Sequence, residues 1–400
     1  MQVEAAAGIT LCAPAVWNRC GLEGRAPFWL RLRRTLLYRR FAIGNAPGNS
    51  RAFELVGPLR NAIPRYGRLK ICATNDWQLV DGLLGGDPIS RGLDFWNDSR
   101  IMPAMQFIRD IYAAKQASNR PVISFEFFPP KTEEGDRNLL EKTIPALKAL
   151  APDFCSVTYG AGGSTREKTL MIVDRIQRTH RITGMAHLTC VGSTKEQIGD
   201  VLEQARALGI RNILALRGDP PGGVGEFKKT EGGFEFSYQL VRFIREKGGF
   251  SIGTAGFPEG HIACQQGKHV DWERLKAKID CGADFVITQL FFDNSDFFVF
   301  REYMVKKLGV TVSITPGILP ILSAAQVKRF TEMCGARMPA PLLAKLDTLR
   351  DNDEAATEFG IEYATRQCEE LLREGVPGLH IYTLNKARSA TQLLKNLGLA

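Results

Sequence analysis

Glu126 stands in the run Val122, Ile123, Ser124, Phe125, Glu126, Phe127, Phe128, Pro129, Pro130, an apolar, strand-like stretch that carries one carboxylate. Side chains alternate along a strand. If Phe125 and Phe127 face covering helices, then Ser124, Glu126 and Phe128 face the other way, to the inside. An ionised carboxylate there costs on the order of several kcal/mol unless it is paired, so Glu126 either has a partner or holds a proton near neutral pH. Two readings follow: a buried ion pair that fixes register, or a general acid tuned by burial. More residues fit for acid–base or anion-binding chemistry close the later apolar runs. They are Thr158 and Tyr159, His187 and Thr189, Arg217 and Asp219, Glu259 and His261, Gln289, then Tyr382, Asn385 and Lys386. Each alone has a structural explanation, His187 as a satisfied core histidine and Arg217 with Asp219 as a local ion pair. Their recurrence at one strand end after another points to an active site.

The elements that must position them are short apolar runs at 121–128, 154–159, 184–190, 212–217, 250–257, 284–292, 310–316 and 378–384. Helical patterns lie between: Ile198, Val201, Leu202, Ala205 and Leu208 recur at helix spacing, as do Trp272, Leu275 and Ile279. Gly209, Gly248, Gly282, Gly309 and Gly375 stand where helices should stop. Near-continuous apolar strands, each followed by an amphipathic helix, imply a parallel sheet covered by helices, and eight such units close into an α/β fold, the (β/α)8 TIM barrel. Chemistry on that fold gathers at the C-terminal strand ends. The alternative is an open doubly wound sheet, which more often carries a glycine-rich phosphate turn after its first strand. Pro129-Pro130 occupies that position, and Gly160, Gly162 and Gly163 lack the dinucleotide spacing. The stretch from about Leu342 to Gly375 reads as extra helix inserted before the last strand.

With 44% hydrophobic and 24% charged residues, the 400-residue chain has material for one large domain or two ordinary ones. Its net charge of +9 is unevenly spread: residues 1–120 carry 17 Lys and Arg against 9 Asp and Glu, and residues 121–400 carry 35 against 34. The basic character thus belongs to the N-terminal stretch, and no nucleic-acid partner is expected. Residues 1–101 are expected to be a poorly structured basic extension or sequence upstream of a functional start at Met102 or Met105, with an organellar transit peptide as the lesser reading. The catalytic domain is expected over 102–400. Nine cysteines without a CxxC pair suit a reducing, cytoplasmic setting and no metal site. No apolar run approaches the roughly 18 residues of a membrane span.

The segments ISFEFFPPK, CSVTYGAGGSTREKT, HLTC, ALRGDPPGG, AGFPEGH, DWERLKAKIDCGADFVITQLFFD, ITPGILP and HIYTLNKA resemble the methylenetetrahydrofolate reductase family, in order, from about Met102 to Leu399. The likeness is to the short bacterial type, without the C-terminal regulatory domain of the animal enzymes. It implies an oxidoreductase of one-carbon metabolism and methionine synthesis. NADH or NADPH would pass a hydride to FAD, and 5,10-methylenetetrahydrofolate would then take it in a ping-pong cycle to become 5-methyltetrahydrofolate. A homo-oligomer is the expected assembly. The resemblance makes Glu126 the general acid that protonates folate N10 and opens the ring to a 5-iminium cation. Asp219 becomes the carboxylate beside flavin and pterin.

The matched FAD positions are Thr158, Tyr159, Ala161, His187, Arg217, Gly218, Asp219, Ser237, Phe257, His261, Asp271, Arg274, Ala277 and Lys278. Those for substrate are Asp219, Gln289, Gln326, Phe330 and Lys386. Two positions depart from the pattern. Phe257 replaces a frequent tyrosine, and Lys386 replaces an arginine whose planar fork a lysine cannot reproduce. The competing functions are a proline dehydrogenase-like barrel flavoenzyme, a Schiff-base lyase that would need Lys386 inside the barrel, and a non-catalytic flavin- or folate-binding protein.

Overall fold

The structure, a computed structural model, describes residues 3–5, 9–11, 106–159, 165–219 and 227–400. The chain divides into two units, Met1–Ile101 and Met102–Ala400. In the first, Val3–Ala5 pairs antiparallel with Ile9–Leu11; the expected basic extension otherwise lies outside the described residues.

In the second unit the apolar runs become β1 (Val122–Phe127), β2 (Phe154–Val157), β3 (Thr183–Thr189), β4 (Asn212–Leu216), β5 (Ser251–Gly256), β6 (Phe285–Leu290), β7 (Ser313–Ile318) and β8 (Gly378–Tyr382). Each pairs in parallel with the next, and β8 returns to β1, closing the (β/α)8 barrel. β7 begins later than its apolar run. The Val310 amide is engaged in closing the preceding helix, donating to the Met304 carbonyl at 3.0 Å, and so is not free for the ladder. All five glycines expected at helix ends have positive φ.

Phe125 and Phe127 are fully buried on the outer face of β1, in a core shared with Trp272, Leu275, Phe297 and Phe300 from the covering helices. Inside the barrel, Val122, Phe154, Met185, Leu214, Phe285 and Ile287 pack with Ile108, Ile111 and Tyr112 of α1 (Ile108–Ala117). This helix caps the N-terminal mouth. Its first amide donates to Asn212 Oδ1 at 2.8 Å, and the Tyr112 hydroxyl meets Thr315 Oγ1 at 2.7 Å. Burying each such apolar side chain contributes about 1.5–3 kcal/mol. The lower barrel is therefore a packed core, and chemistry is confined to the opposite end. The expected insertion is present as the helices Ala340–Thr348 and Asp353–Arg373, with Leu342 and Leu346 packed against Leu319 and Ile321. Among the described residues no helix is long and apolar enough to cross a membrane.

Candidate active site

Register places Glu126 level with Ser156 of β2 and Tyr382 of β8, just inside the C-terminal mouth. Its Oε2 is a meeting point. His380 Nε2 lies 3.2 Å away, His187 Nε2 3.3 Å and Ser156 Oγ, as donor, 3.4 Å. The His380 contact has hydrogen-bond geometry, whereas the buried His187 Nε2 is close but has no hydrogen-bond partner. Among the described residues no hydrogen bond reaches Oε1, and the Glu126 side chain is 13% exposed at the mouth.

Burial pushes the Glu126 carboxyl up, but the imidazoles of His187 and His380 outweigh it and draw it down to about 2. Glu126 has partners, supplied by two of the chain's five histidines.

Below it, His380 is fully buried, its ring stacked against Phe154 and set edge-on to Tyr382, with Nδ1 2.8 Å from Ser124 Oγ. Sequence reasoning passed over His380. The signal was there: Tyr382 is a strand-end residue of β8, so His380, two positions earlier, had to face the same interior.

A second group gathers at the ends of β4 and β5. Gly218 separates Arg217 from Asp219 at φ +85°, and a Cβ there would lie 2.8 Å from Val191 Cγ1 and 2.9 Å from Thr189 Cβ, so only glycine fits this turn. Asp219 is exposed, and no ion pair joins it to Arg217, which instead lies over the Phe227 ring at 5.1 Å. Phe257 and His261 meet edge to face at 4.6 Å, and the His261 amide donates to Asp271 Oδ2 at 3.2 Å. Lys278 reaches the Ala255 carbonyl at 2.9 Å. Burial lowers this ammonium, Asp271 opposing and Arg217 assisting, to about 8. Burial likewise lowers the His261 imidazole; Asp271 and Asp219 oppose, and Arg217 and Lys278 assist. These residues therefore share one electrostatic neighbourhood.

Gln289 and Phe257 line one small cleft with Leu290 and Cys334. The strands around it are irregular: register shifts between Ile287 and Leu290, the Gly317 amide donates to Thr288 Oγ1, and the Tyr382 hydroxyl donates to the Thr288 carbonyl. A Cβ on Gly317 would lie 2.2 Å from that carbonyl, so glycine is required for the approach. Bulges of this kind re-aim a side chain, here Gln289.

The remaining expected residues are less tightly joined. Thr158 and Tyr159 close β2, with the Tyr159 hydroxyl accepting from Arg166 at 2.7 Å. Arg274 is exposed and bonds Gln266 at 2.9 Å; Ala277 is exposed nearby. Ser237 opens the helix Ser237–Lys247. Gln326 and Phe330 lie on the helix Ala324–Cys334, with Phe330 against the insertion's core. Lys386 is exposed just before the last helix. Ala161 lies outside the described residues.

The sequence signature of the methylenetetrahydrofolate reductase family matches residues 111–398. Methylenetetrahydrofolate reductase (NADH) 1 of Arabidopsis thaliana is 44% identical over 286 residues, 69% of this chain and 48% of the relative. That of Zea mays is 42% identical over 305 residues, 74% of this chain and 51% of the relative. The 5,10-methylenetetrahydrofolate reductase of Escherichia coli K12 is 37% identical over 276 residues, covering 69% of this chain and 90% of the relative. The chain thus spans about half the length of the plant relatives it matches.

Proposed function

Because this chain belongs to the methylenetetrahydrofolate reductase family, we propose that it reduces 5,10-methylenetetrahydrofolate to 5-methyltetrahydrofolate, with NADH as reductant and FAD as hydride carrier. The plant relatives' names specify NADH, which favours it over NADPH. The observation that carries the proposal is Glu126, a carboxyl at the strand-end mouth whose Oε2 has His380 and His187 within 3.3 Å and whose Oε1 meets no hydrogen bond among the described residues.

The residues present fit FAD. Among the described residues Arg217, Arg274 and Lys278 form no ion pair, which leaves three cations for a pyrophosphate. Phe257 and His261 offer a ring face and edge to an aromatic system. When bound, FAD supplies a ring able to accept a hydride from a nicotinamide and to give one to a folate.

The protein's own part is then proton handling and charge placement. Glu126 Oε1 delivers a proton to N10 of the folate, the C–N10 bond breaks with its electrons going to nitrogen, and a 5-iminium cation remains. Asp219, exposed at the rim, stabilises that positive charge. Gln289 hydrogen-bonds the pterin, while Gln326, Phe330 and Lys386 bound the far end of the substrate. Among the described residues the strand ends offer Arg217 but no arginine cluster of the kind a proline dehydrogenase-like site needs, and Lys386 is exposed beyond its strand, which disfavours a lyase.

The test is Glu126→Gln in anaerobic stopped flow. Reduction of bound FAD by NADH should change less than about threefold. Reoxidation by methylenetetrahydrofolate should fall by about 100-fold or more, the scale of general-acid catalysis. Equal losses in both steps would make Glu126 structural.

A further inference from the structure

The loop that follows β5 is joined to the C-terminal end of the helix Ala324–Cys334 by two separate contacts. Gly335 stops that helix at φ +76°, and a Cβ there would lie 3.0 Å from Ile262 Cβ, so the two segments pack closely. Two residues on, the Arg337 amide donates to both oxygens of Glu259, at 2.9 and 3.1 Å. The Arg337 guanidinium reaches a third element, bonding Asp296 at 2.7 Å and Asp293 at 3.3 Å where the helix Asn294–Glu302 begins. That side chain is 57% exposed, so its ion pairs add little, and the bond from the amide to the half-buried carboxylate is the stronger tie. Glu259 also lines the small cleft that holds Gln289 and Phe257, and Cys334 and Ala336 line it from the helix end. The joint therefore closes one side of that cleft.

We propose that Glu259 is a positioning residue for the folate site: by accepting the Arg337 amide it clasps the end of the helix Ala324–Cys334, which carries Gln326 and Phe330, against the cleft of Gln289. This rests on the reading of Gln289, Gln326 and Phe330 as substrate contacts. Without the carboxylate the Arg337 amide loses its acceptor, and the helix end is held by the Ile262 contact and exposed ion pairs alone.

Charged and titratable groups face the clasp from each element around it. Asp296 stands against Glu259 from the helix after β6, with Asp293 beside it on Arg337. Arg337 and Cys334 come from the helix end, Lys268 packs against Gly260, and His261 belongs to the same loop as Glu259. The Tyr363 hydroxyl, on the Phe292 carbonyl, approaches from the inserted helix. Burial raises the Glu259 carboxyl and Asp296 adds to the rise, while the Arg337 amide and guanidinium oppose it, leaving it at about 7. When the clasp opens, the carboxyl meets water and returns toward its ordinary 4.5. The closed form thus binds the proton more tightly, and closure weakens as pH rises from 4.5 through 7.

The first test is hydrogen exchange at the Arg337 amide of the full-length chain, read by mass spectrometry with fragmentation to single residues and corrected for the intrinsic rate at each pH. Protection should fall about tenfold between pH 6 and 8 in the wild type. In Glu259→Gln, which keeps an acceptor oxygen and every neighbouring group but cannot ionise, it should change less than about twofold over the same range. Flat protection in the wild type, or an equal fall in both proteins, overturns the clasp. The second test is the folate kinetics at pH 7. Glu259→Ala should raise KM for methylenetetrahydrofolate about fivefold while kcat changes less than about twofold, and Glu259→Gln should restore the wild-type KM. An unchanged KM in Glu259→Ala, or a Glu259→Gln protein no better than it, overturns the positioning role. A wild-type chain that shows the exchange result but turns over no folate refutes the reading of the reaction and leaves the clasp standing.

Discussion

Replacing Glu126 by glutamine should erase a specific part of the protein's acid sensitivity. In the folded chain burial raises this carboxyl and the two imidazoles more than reverse the effect, bringing it from 4.5 to about 2. Its folded value lies below its unfolded value, so the stabilisation is complete above about pH 4.5 and is lost as pH falls toward 2. At about 1.4 kcal/mol per unit the full contribution is roughly 3 kcal/mol, and by linkage roughly 1 kcal/mol of it is gone at pH 3.5. The side chain is only 13% exposed, so solvent screening removes little of this. The assay is urea unfolding of wild type and Glu126→Gln at pH 7, 5, 4 and 3.5, and the quantity is the difference between them. It should shrink by roughly 1 kcal/mol from pH 7 to 3.5, most of it below pH 4.5. A difference that stays constant across that window, or widens as pH falls, refutes the pairing of Glu126 with His187 and His380.

Lys278 should make FAD affinity depend on pH: with its ammonium lowered to about 8, binding should weaken between pH 7 and 9 in the wild type and stay flat in Lys278→Met, by fluorescence titration of the apoprotein. Gly218→Ala forces a left-handed residue and a Cβ into Val191 and Thr189, a cost of about 2–4 kcal/mol, so the variant should melt several degrees lower and retain less flavin; a normal melt with full flavin content contradicts the close-packed turn. A chain begun at Met102 keeps α1 and should melt like the full chain, whereas one begun at Val122 loses Ile108, Ile111 and Tyr112 from the barrel floor and should be insoluble.

The barrel was legible because each strand is short, apolar and followed by a patterned helix, and because period-two alternation assigned Phe125 and Phe127 outward and Ser124 and Glu126 inward. Polarity at successive strand ends also marked the site's rim. What local pattern could not supply was pairing across 61 to 254 residues of chain: nothing near Glu126 names His187 or His380 as its partners. The Ile287–Leu290 irregularity is equally invisible locally, since it arises where Thr288, Gly317 and Tyr382 from three strands compete for the same bonds. A local ion pair was the structural explanation open to Arg217 and Asp219 in sequence, but none joins them across the left-handed Gly218, and Arg217 lies over the Phe227 ring.

The most direct test of the central claim is one anaerobic experiment on the purified full chain reconstituted with FAD. NADH should bleach the flavin, subsequent addition of 5,10-methylenetetrahydrofolate should restore its absorbance, and one equivalent of 5-methyltetrahydrofolate per flavin should be recovered. Flavin that bleaches with NADH but is not reoxidised by the folate, or reoxidation that yields no 5-methyltetrahydrofolate, would contradict the proposed reaction.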